Sequence, residues 1–357
     1  MTASQYPCAS CGANVEYAPG TTALACPYCG ASTPLAPTGL RVREHAYAPF
    51  AQLPRKPVGA IAAHQFTCKG CGAVTETDRI SDRCQFCGAP LVADGPHADV
   101  VTPEAVLPFA VDRGQMRAAL RKWVSSRWFA PGGLKKVTEA ESSRSTYLPH
   151  WTFDAATVSS YTGERGEHYT ETESYTEDGQ TKTRQVRRTR WHRANGVVTR
   201  GFDDVLVAGT TKVTRGHLDA LEPWPLREAE AYRPEFLAGH ETLRYDVEPE
   251  TGLETAKAHM AKVIRDDCER DIGGDEQRLH RVDTDYRDIM FKLMLLPVWV
   301  ACYLHAGKTY TVLVNGRTGE VAGQRPYSAA KIAAAVAAVL LVIAALVTLY
   351  LSTRGTS

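Results

Sequence analysis

Residues 8–29 read CASCGANVEYAPGTTALACPYC, and residues 68–87 read CKGCGAVTETDRISDRCQFC. Each stretch contains two Cys-x-x-Cys pairs, with 14 residues between the pairs in the first stretch and 12 in the second. Two residues between cysteines let a tight turn aim both sulfurs at one ion, and two such turns supply the four thiolates of a closed tetrahedral site. The spacing therefore predicts two metal centres, one formed by Cys8, Cys11, Cys26 and Cys29, and one by Cys68, Cys71, Cys84 and Cys87.

Zinc is the predicted metal at both centres, because spacers of this length are typical of zinc ribbons. Iron is the alternative, since rubredoxins use similar thiolate turns. Neither stretch has enough apolar residues to fold alone, so we expect the metal to supply folding free energy. A glycine follows the second cysteine of every pair, where the backbone has to turn without a clash at Cβ; these glycines are Gly12, Gly30, Gly72 and Gly88.

The overall composition excludes some classes of protein. The chain has 357 residues, with 41 Lys and Arg against 40 Asp and Glu, so it is not a polycation that coats nucleic acid. Ten cysteines are present. The start, MTASQYPCAS, has neither the basic nor the apolar region of a secretory signal, so we expect reduced thiols in the cytosol rather than disulfides.

Changes in composition divide the chain into six parts. They are zinc ribbon 1 (1–35), a Pro/Ala-rich linker (36–63), zinc ribbon 2 (64–95), a body (96–327), a transmembrane helix (329–351) and a short tail (352–357). The predicted fold class is α+β: two small N-terminal zinc ribbons, a mixed α+β body with a long antiparallel hairpin, and one C-terminal transmembrane helix.

The body mixes helical and strand patterns. Asp112 and Gln115 have capping-box spacing before an amphipathic helix that we expect to stop at Pro131-Gly132-Gly133. Apolar spacing predicts a second helix over 253–272, stopped by Gly273-Gly274. Predicted strands cover 147–161, 289–304 and 308–315.

Charge is distributed unequally over a predicted hairpin that turns at Asp178-Gly179. Its first strand is rich in Glu and its second in Arg. A two-residue turn there makes paired positions sum to 357, which places Glu173 opposite Arg184, Glu167 opposite Arg190 and Glu164 opposite Arg193. We interpret this as cross-strand charge pairing that stabilises the hairpin. The alternative is a basic face for nucleic acid or anionic lipid.

Residues 332–351 contain no charged side chain. Twenty apolar residues in a helix span roughly 30 Å, the thickness of a bilayer core. We therefore predict a membrane span, with a buried helix as the alternative. More basic residues precede the span than follow it, which predicts that the N-terminal bulk lies in the cytoplasm, at the cytoplasmic membrane.

No catalytic constellation is recognised. Gly273-Gly274-Asp275-Glu276 resembles the diguanylate cyclase signature, but a helix cap followed by a polar turn explains it better. His240-Glu241 lacks the second histidine that a zincin needs four residues on. Cys268 and Cys302 are predicted to be packing residues. We therefore expect no enzyme, and no phosphate loop for a helicase is present.

The whole layout resembles a bacterial family of membrane proteins of unknown function with TFIIB-type zinc ribbons, sometimes labelled primosomal helicase-like through the ribbon. The segments that carry the resemblance are LPF (107–109), YLPHWTFD (147–154), FDDVLV (202–207), DIGGDEQ (271–277), LPVW (296–299) and VNGRTGEV (314–321). The resemblance implies a shared fold and brings no established activity, so no catalytic residue is carried over.

Two hypotheses for function follow. The first is a tail-anchored adaptor, in which the ribbons bind a protein partner at the cytoplasmic membrane. The alternative is a nucleic-acid-associated protein linked to replication or transcription. Residues 1–37 contain no Lys or Arg, and phosphate binding requires local cations, so nucleic acid is the less favoured partner.

Overall fold

The computed structural model describes residues 3–4, 6–53, 64–68, 71, 73–77, 79–93, 101–126, 143–177, 180–305, 308–323 and 329–354. The strands are β1 (Ala3–Ser4), β2 (Glu16–Tyr17), β3 (Ala23–Ala25), β4 (Ser32–Pro34), β5 (His45–Ala46), β6 (His64–Thr67), β7 (Val74–Thr77), β8 (Ser81–Arg83), β9 (Pro90–Ala93), β10 (Ala105–Val106), β11 (Arg144–Glu177), β12 (Gln180–Ala208), β13 (Glu230–Ala231), β14 (Glu241–Thr242), β15 (Glu276–His305), β16 (Lys308–Asn315) and β17 (Val321–Gly323). The α-helices are α1 (Tyr47–Ala51), α2 (Arg113–Ser125), α3 (Arg215–Asp219), α4 (Pro249–Ile272) and α5 (Ala329–Arg354).

Two long antiparallel strands, β11 and β15, form the backbone of a 12-stranded sheet. A third long strand, β12, pairs with β11 from His150 to Glu177. Shorter strands pair at the same outer edges, β14 on β11 and β16, β10 and β5 on β15. Where the sheet is covered, inward residues such as Trp151, Phe153 and Phe291 are fully buried. The sheet therefore has a packed half and, towards the β11–β12 turn, an exposed half.

The predicted second helix is confirmed as α4, which covers the packed half of the sheet. Its buried residues recur at helical spacing: Leu253, Ala256, Met260, Ile264, Cys268 and Ile272. Gly252 lies against Trp151, and a Cβ there would approach the indole to 3.0 Å. Gly273 ends the helix with φ 65°, a conformation that favours glycine.

The capping box at the start of α2 is also confirmed. The side chain of Asp112 accepts from the Gln115 backbone N–H at 2.8 Å, and the Asp112 backbone N–H donates to the Gln115 side chain at 2.9 Å. Met116, Leu120 and Val124 form the buried face. The predicted stop at Pro131-Gly132-Gly133 lies outside the described residues.

The predicted hairpin register is confirmed, because Glu173 pairs with Arg184, Glu167 with Arg190 and Glu164 with Arg193. The side chains follow it only in part. Arg184 Nη2 lies 3.1 Å from Glu173 Oε2, whereas Arg190 stacks on the Tyr169 ring at 4.8 Å. The turn at Asp178-Gly179 lies outside the described residues.

Of the two cysteines predicted to pack in the core, the structure confirms one and contradicts the other. Cys268 is fully buried, as predicted. Cys302 is exposed, so the packing role predicted for it is wrong. The alternation of β15 explains this, since Ala301 points into the core and its neighbour Cys302 points away from it, opposite Thr311.

The apolar run at the C-terminus forms α5, but the predicted transmembrane helix over 329–351 is wrong. In the part of the chain that the structure describes, no helix is long and apolar enough to cross a membrane. The buried-helix alternative is also unsupported, because Leu340 and Leu341 are exposed.

This correction removes every prediction that depended on the span. The fold class changes from one that ends in a membrane helix to a strand-rich α+β arrangement. The tail-anchored adaptor, the membrane as a partner, and the location at the cytoplasmic membrane lose their basis for the same reason.

Candidate metal centre

The described Cys-x-x-Cys turns have the same backbone hydrogen bonds. In the first, the Cys8 N–H donates to the Ala13 carbonyl at 2.6 Å, and the Gly12 N–H donates to the Cys8 carbonyl at 2.9 Å. Equivalent bonds join Cys26 to Ala31 and Cys84 to Ala89. The glycines of these three turns, Gly12, Gly30 and Gly88, have φ between 71° and 73°. The turns therefore require glycine, as predicted. An alanine after each glycine is a sequence signal that our sequence analysis missed.

The eight predicted cysteines come together as two groups of four. In each group all four sulfurs lie within 4.8 Å of one another. Cys8 and Cys29 are 3.5 Å apart and Cys11 and Cys26 are 3.6 Å apart; the matching pairs of the second group, Cys68–Cys87 and Cys71–Cys84, are 3.5 Å and 3.7 Å apart. These distances exceed a disulfide bond of about 2.05 Å and fit the edge of roughly 3.8 Å expected around an ion with metal–sulfur bonds of about 2.3 Å. Both groups can therefore hold a metal ion.

Within each group, burial alternates along the sequence. The first cysteine of every pair is buried and the second is exposed. The pKa of Cys8 is lowered to about 6, because the backbone N–H groups of Cys11 and Ser10 donate to its sulfur. Burial acts to raise the pKa of Cys84, but the N–H groups of Cys87 and Phe86 outweigh it and lower the pKa to about 6. The N–H groups thus favour the thiolate form of these buried cysteines, which is the form that metals bind. At the exposed Cys11, the Ala13 N–H acts to lower the pKa, but the neighbouring sulfurs of Cys29 and Cys26 outweigh it and raise the pKa to about 12.

Ribbon 1 packs directly on the body. Tyr17 and Leu24 are buried in the same cluster as Phe109, and this cluster also contains the ligands Cys8 and Cys26. The Tyr17 backbone N–H donates to the Ala238 carbonyl at 2.9 Å. The first metal centre therefore lies at the margin of the main core.

Ribbon 2 has a small core of its own around its cysteines, and Val92 of β9 belongs to the main core. Cys68 and Cys84 are buried with Ala89 and Leu91. Its strands β8 and β9 extend the main sheet, because β8 pairs with β14 and β9 pairs with β1. The Ser81 hydroxyl donates to the His240 carbonyl at 2.8 Å and lies 2.6 Å from the Thr242 hydroxyl. Ribbon 2 is therefore held to the body by strand pairing, by polar contacts and by the buried side chain of Val92.

The two ribbons also contact each other. The Arg83 guanidinium of ribbon 2 lies 2.8 Å from the Glu16 carboxylate of ribbon 1, and it donates to the Gly239 carbonyl at 3.0 Å. Gly239 has φ 83°, and a Cβ there would approach the Glu16 side chain to 2.6 Å. A glycine is thus needed where the ribbons meet the body.

His240 lies in the core rather than in a zincin-type site. Its ring stacks on Phe109 with centroids 4.5 Å apart, and both ring nitrogens are buried without a hydrogen-bond partner in the described structure. Burial lowers its pKa to about 3, so the ring is neutral at ordinary pH. The Gly273–Glu276 segment lies at the end of α4. There, the Asp275 carboxylate accepts a hydrogen bond from the His168 backbone N–H at 2.7 Å.

A third polar cluster was missed by the sequence analysis. Carboxylate oxygens of Glu44, Asp154 and Asp204 lie within 4.8 Å of one another. Lys292, 4% exposed, lies among them and makes ion pairs with Glu44, at 2.7 Å, and with Asp204. Because the Lys292 ammonium already lies among these carboxylates and pairs with two of them, we interpret the cluster as an ion-pair clip and not as a metal site. The clip fastens the segment between the ribbons to the sheet, where β5 pairs with β15.

Comparison with known proteins adds one similarity. The chain is 24% identical over 253 residues to the uncharacterized protein YdjG of Bacillus subtilis (strain 168), which covers 69% of this chain and 70% of YdjG. No family model matches the chain. No solved structure matches it. YdjG is itself described as uncharacterized, so the function has to be argued from the site.

Proposed function

We propose that the chain is a non-enzymatic zinc protein, in which two structural Zn²⁺ ions fix a pair of ribbons to a strand-rich body and so build a rigid binding scaffold. The observation that carries the proposal is the donor set, four mutually close sulfurs at each centre. Four thiolates fill the coordination sphere of tetrahedral zinc and leave no position for water or substrate. Such an ion holds chain segments together and does no chemistry itself.

The choice of zinc over iron rests on the sequence. The spacers of 14 and 12 residues resemble those of zinc ribbons. The backbone N–H groups that favour the thiolates of Cys8 and Cys84 assist either metal. The experiment therefore has to distinguish the two metals directly.

Metal content of the purified full chain, measured by elemental analysis, tests the proposal. We expect two zinc ions per chain and no visible absorption band, whereas iron bound by four thiolates is coloured. Replacement of the zinc by Co²⁺ should give the intense absorption of tetrahedral sulfur coordination at both centres.

Single cysteine variants locate the ions. Cys26→Ser and Cys84→Ser should each bind one zinc fewer than the wild type. Cys302→Ser is the matched control, because Cys302 is an exposed thiol outside both groups, and it should retain two. Stoichiometric iron, or two zinc ions in both ligand variants, would refute the proposal.

A further inference from the structure

An arginine-lined cleft lies where ribbon 2 meets the body. Its volume is about 740 Å³, within the range of small-molecule sites. Ribbon 2 contributes Arg79 and Arg83, the start of α2 contributes Arg113, and the start of β11 contributes Ser143 and Arg144. The cleft therefore brings four guanidinium groups together from three elements.

Acidic side chains neutralise only part of this charge. Arg79 lies 3.3 Å from Asp82 and 3.0 Å from Glu241, and Glu241 is shared with Arg144 at 3.3 Å. These two carboxylates lie in the described lining, and Arg83 is paired with Glu16 at 2.8 Å, so four positive charges face three negative ones. The remaining formal charge of about +1 has the sign that an anionic phosphate group requires.

Arg113 is the guanidinium best placed to meet a ligand. Within the described ranges, no carboxylate lies within ion-pair distance of it. Its guanidinium lies over the Trp299 ring at 5.7 Å and donates to the Ser143 carbonyl at 3.4 Å. These contacts hold the group in place while leaving its charge unneutralised, as expected of a preorganised anion site.

Ser143 gives a second, independent indication of a ligand. Ser143 is a lining residue of the cleft and is only 4% exposed, yet its hydroxyl has no hydrogen-bond partner in the part of the chain that is described. An unsatisfied buried hydroxyl costs about 1–3 kcal/mol, so such groups usually have a partner. A phosphate oxygen in the cleft would supply it.

We propose that this cleft binds a small molecule through a phosphate group, with Arg113 and Ser143 as its principal contacts and Arg79 and Arg144 completing the cationic wall. The cleft proposal rests on the proposed function, because zinc is expected to fold ribbon 2 and ribbon 2 forms part of the cleft. A competing explanation is that the arginines neutralise the metal–thiolate group, since Cys84 also lines the cleft. The N–H groups of Cys87 and Phe86 already donate to that sulfur, which favours the ligand explanation.

Calorimetric titration of the zinc-loaded full chain with inorganic phosphate and with pyrophosphate tests the proposal, with succinate as the carboxylate arm. We expect saturable binding of the phosphates and at least about tenfold weaker binding in Arg113→Gln, since a charge-assisted hydrogen bond contributes about 1.5–3 kcal/mol. Ser143→Ala should weaken binding about three- to tenfold. Arg200→Gln, which removes an arginine paired with Asp267 elsewhere on the sheet, should bind as the wild type does.

Zinc content is measured on each variant, so that failure of the scaffold and failure of the cleft are distinguishable. A chain with two zinc ions that binds neither phosphate nor pyrophosphate overturns the cleft proposal alone. Equal loss in Arg200→Gln, or binding of succinate in place of the phosphates, also overturns it. Loss of zinc in Arg113→Gln with phosphate binding unchanged would establish the neutralising role instead.

Discussion

The two ribbons contain the same cysteine turns but differ in what surrounds them. In ribbon 1, Cys8 and Cys26 belong to the main core together with Phe109 and Trp299. In ribbon 2, Cys68 and Cys84 share a small cluster with Ala89 and Leu91. The same metal-binding motif therefore has different structural consequences. We expect the first ion to stabilise the body and the second to stabilise mainly its own ribbon.

Removal of both ions should have the largest effect. Structural zinc contributes about 10–16 kcal/mol in small zinc domains, and whole proteins are stable by about 5–15 kcal/mol. Treatment with a strong zinc chelator should therefore lower the thermal midpoint sharply and broaden the transition. Differential scanning calorimetry checks this, and readdition of zinc is the control. An unchanged transition after verified zinc loss would show that the ribbons fold without metal.

The next largest effect is expected from core truncations, which should destabilise the whole protein more in ribbon 1 than in ribbon 2. Tyr17→Ala removes a buried ring that packs edge-to-face on Phe236 at 5.3 Å, and it should destabilise the whole protein by about 3–5 kcal/mol. Leu91→Ala creates a cavity in ribbon 2, where local opening limits the effect on the body. Urea unfolding followed by tryptophan fluorescence reports on the body through Trp151 and Trp299. Equal shifts in the two variants would remove the distinction between the ribbons.

The ion-pair clip on the segment between the ribbons should make stability depend on pH. Burial and the neighbouring Glu44 raise the pKa of Asp154 to about 7, so between roughly pH 4 and 7 the folded chain binds a proton that the unfolded chain lacks. Its contribution to stability therefore falls as pH rises through this window. Asp154→Asn should be more stable than the wild type at pH 8, with a smaller difference at pH 6, as measured by thermal unfolding.

The Glu44→Gln variant should change the stability at pH 8 in the opposite direction from Asp154→Asn. Burial alone would raise the pKa of Glu44, but Asp154 and Lys292 outweigh it and lower the pKa. Its carboxylate therefore stabilises the fold above its ordinary pKa, and that stabilisation is lost on acidification. The variant should be less stable than the wild type at pH 8. The same sign of change in both variants would contradict the described clip.

The smallest effect is expected in the exposed hairpin, far from both ribbons. Reversal of Glu173 or Arg184 alone should speed hydrogen exchange of nearby amides slightly, since exposed ion pairs contribute little. The double reversal should recover only part of the loss, because Glu173 also contacts Arg188. Full recovery would mean that Arg188 does not share Glu173, and no recovery would contradict the register.

Local patterns in the sequence predicted what depends on neighbouring residues. The cysteine spacing predicted both metal groups, the spacing of Leu253 to Ile272 predicted α4, and the turn at Asp178-Gly179 predicted the hairpin register. Each of these three predictions depends on residues a few positions apart in sequence or on the geometry of a single turn. The membrane helix was the failure of this approach, because it was inferred from a hydrophobic run alone.

Contacts between distant segments could not be predicted in this way. Val15, Leu24 and Tyr28 looked too few to form a core, and nothing near them indicates that Val15 and Leu24 join Tyr17 in a cluster with Phe109 and Phe236. The ion-pair clip joins Glu44, Asp154, Asp204 and Lys292, which are widely separated in sequence. Asp204 has φ 52°, a conformation that its neighbours in sequence do not predict for a residue other than glycine.

Hydrogen exchange of Cys26→Ser and Cys84→Ser, measured by mass spectrometry, tests the difference between the ribbons most directly. Cys26→Ser should increase exchange in ribbon 1 and also in the body, in the peptides that contain Phe109 and residues 293–300. Cys84→Ser should increase it within residues 64–93 and at β14, while residues 293–300 remain protected. If exchange in Cys26→Ser increases only in ribbon 1, or if the two variants expose the body equally, the two centres do not differ as described.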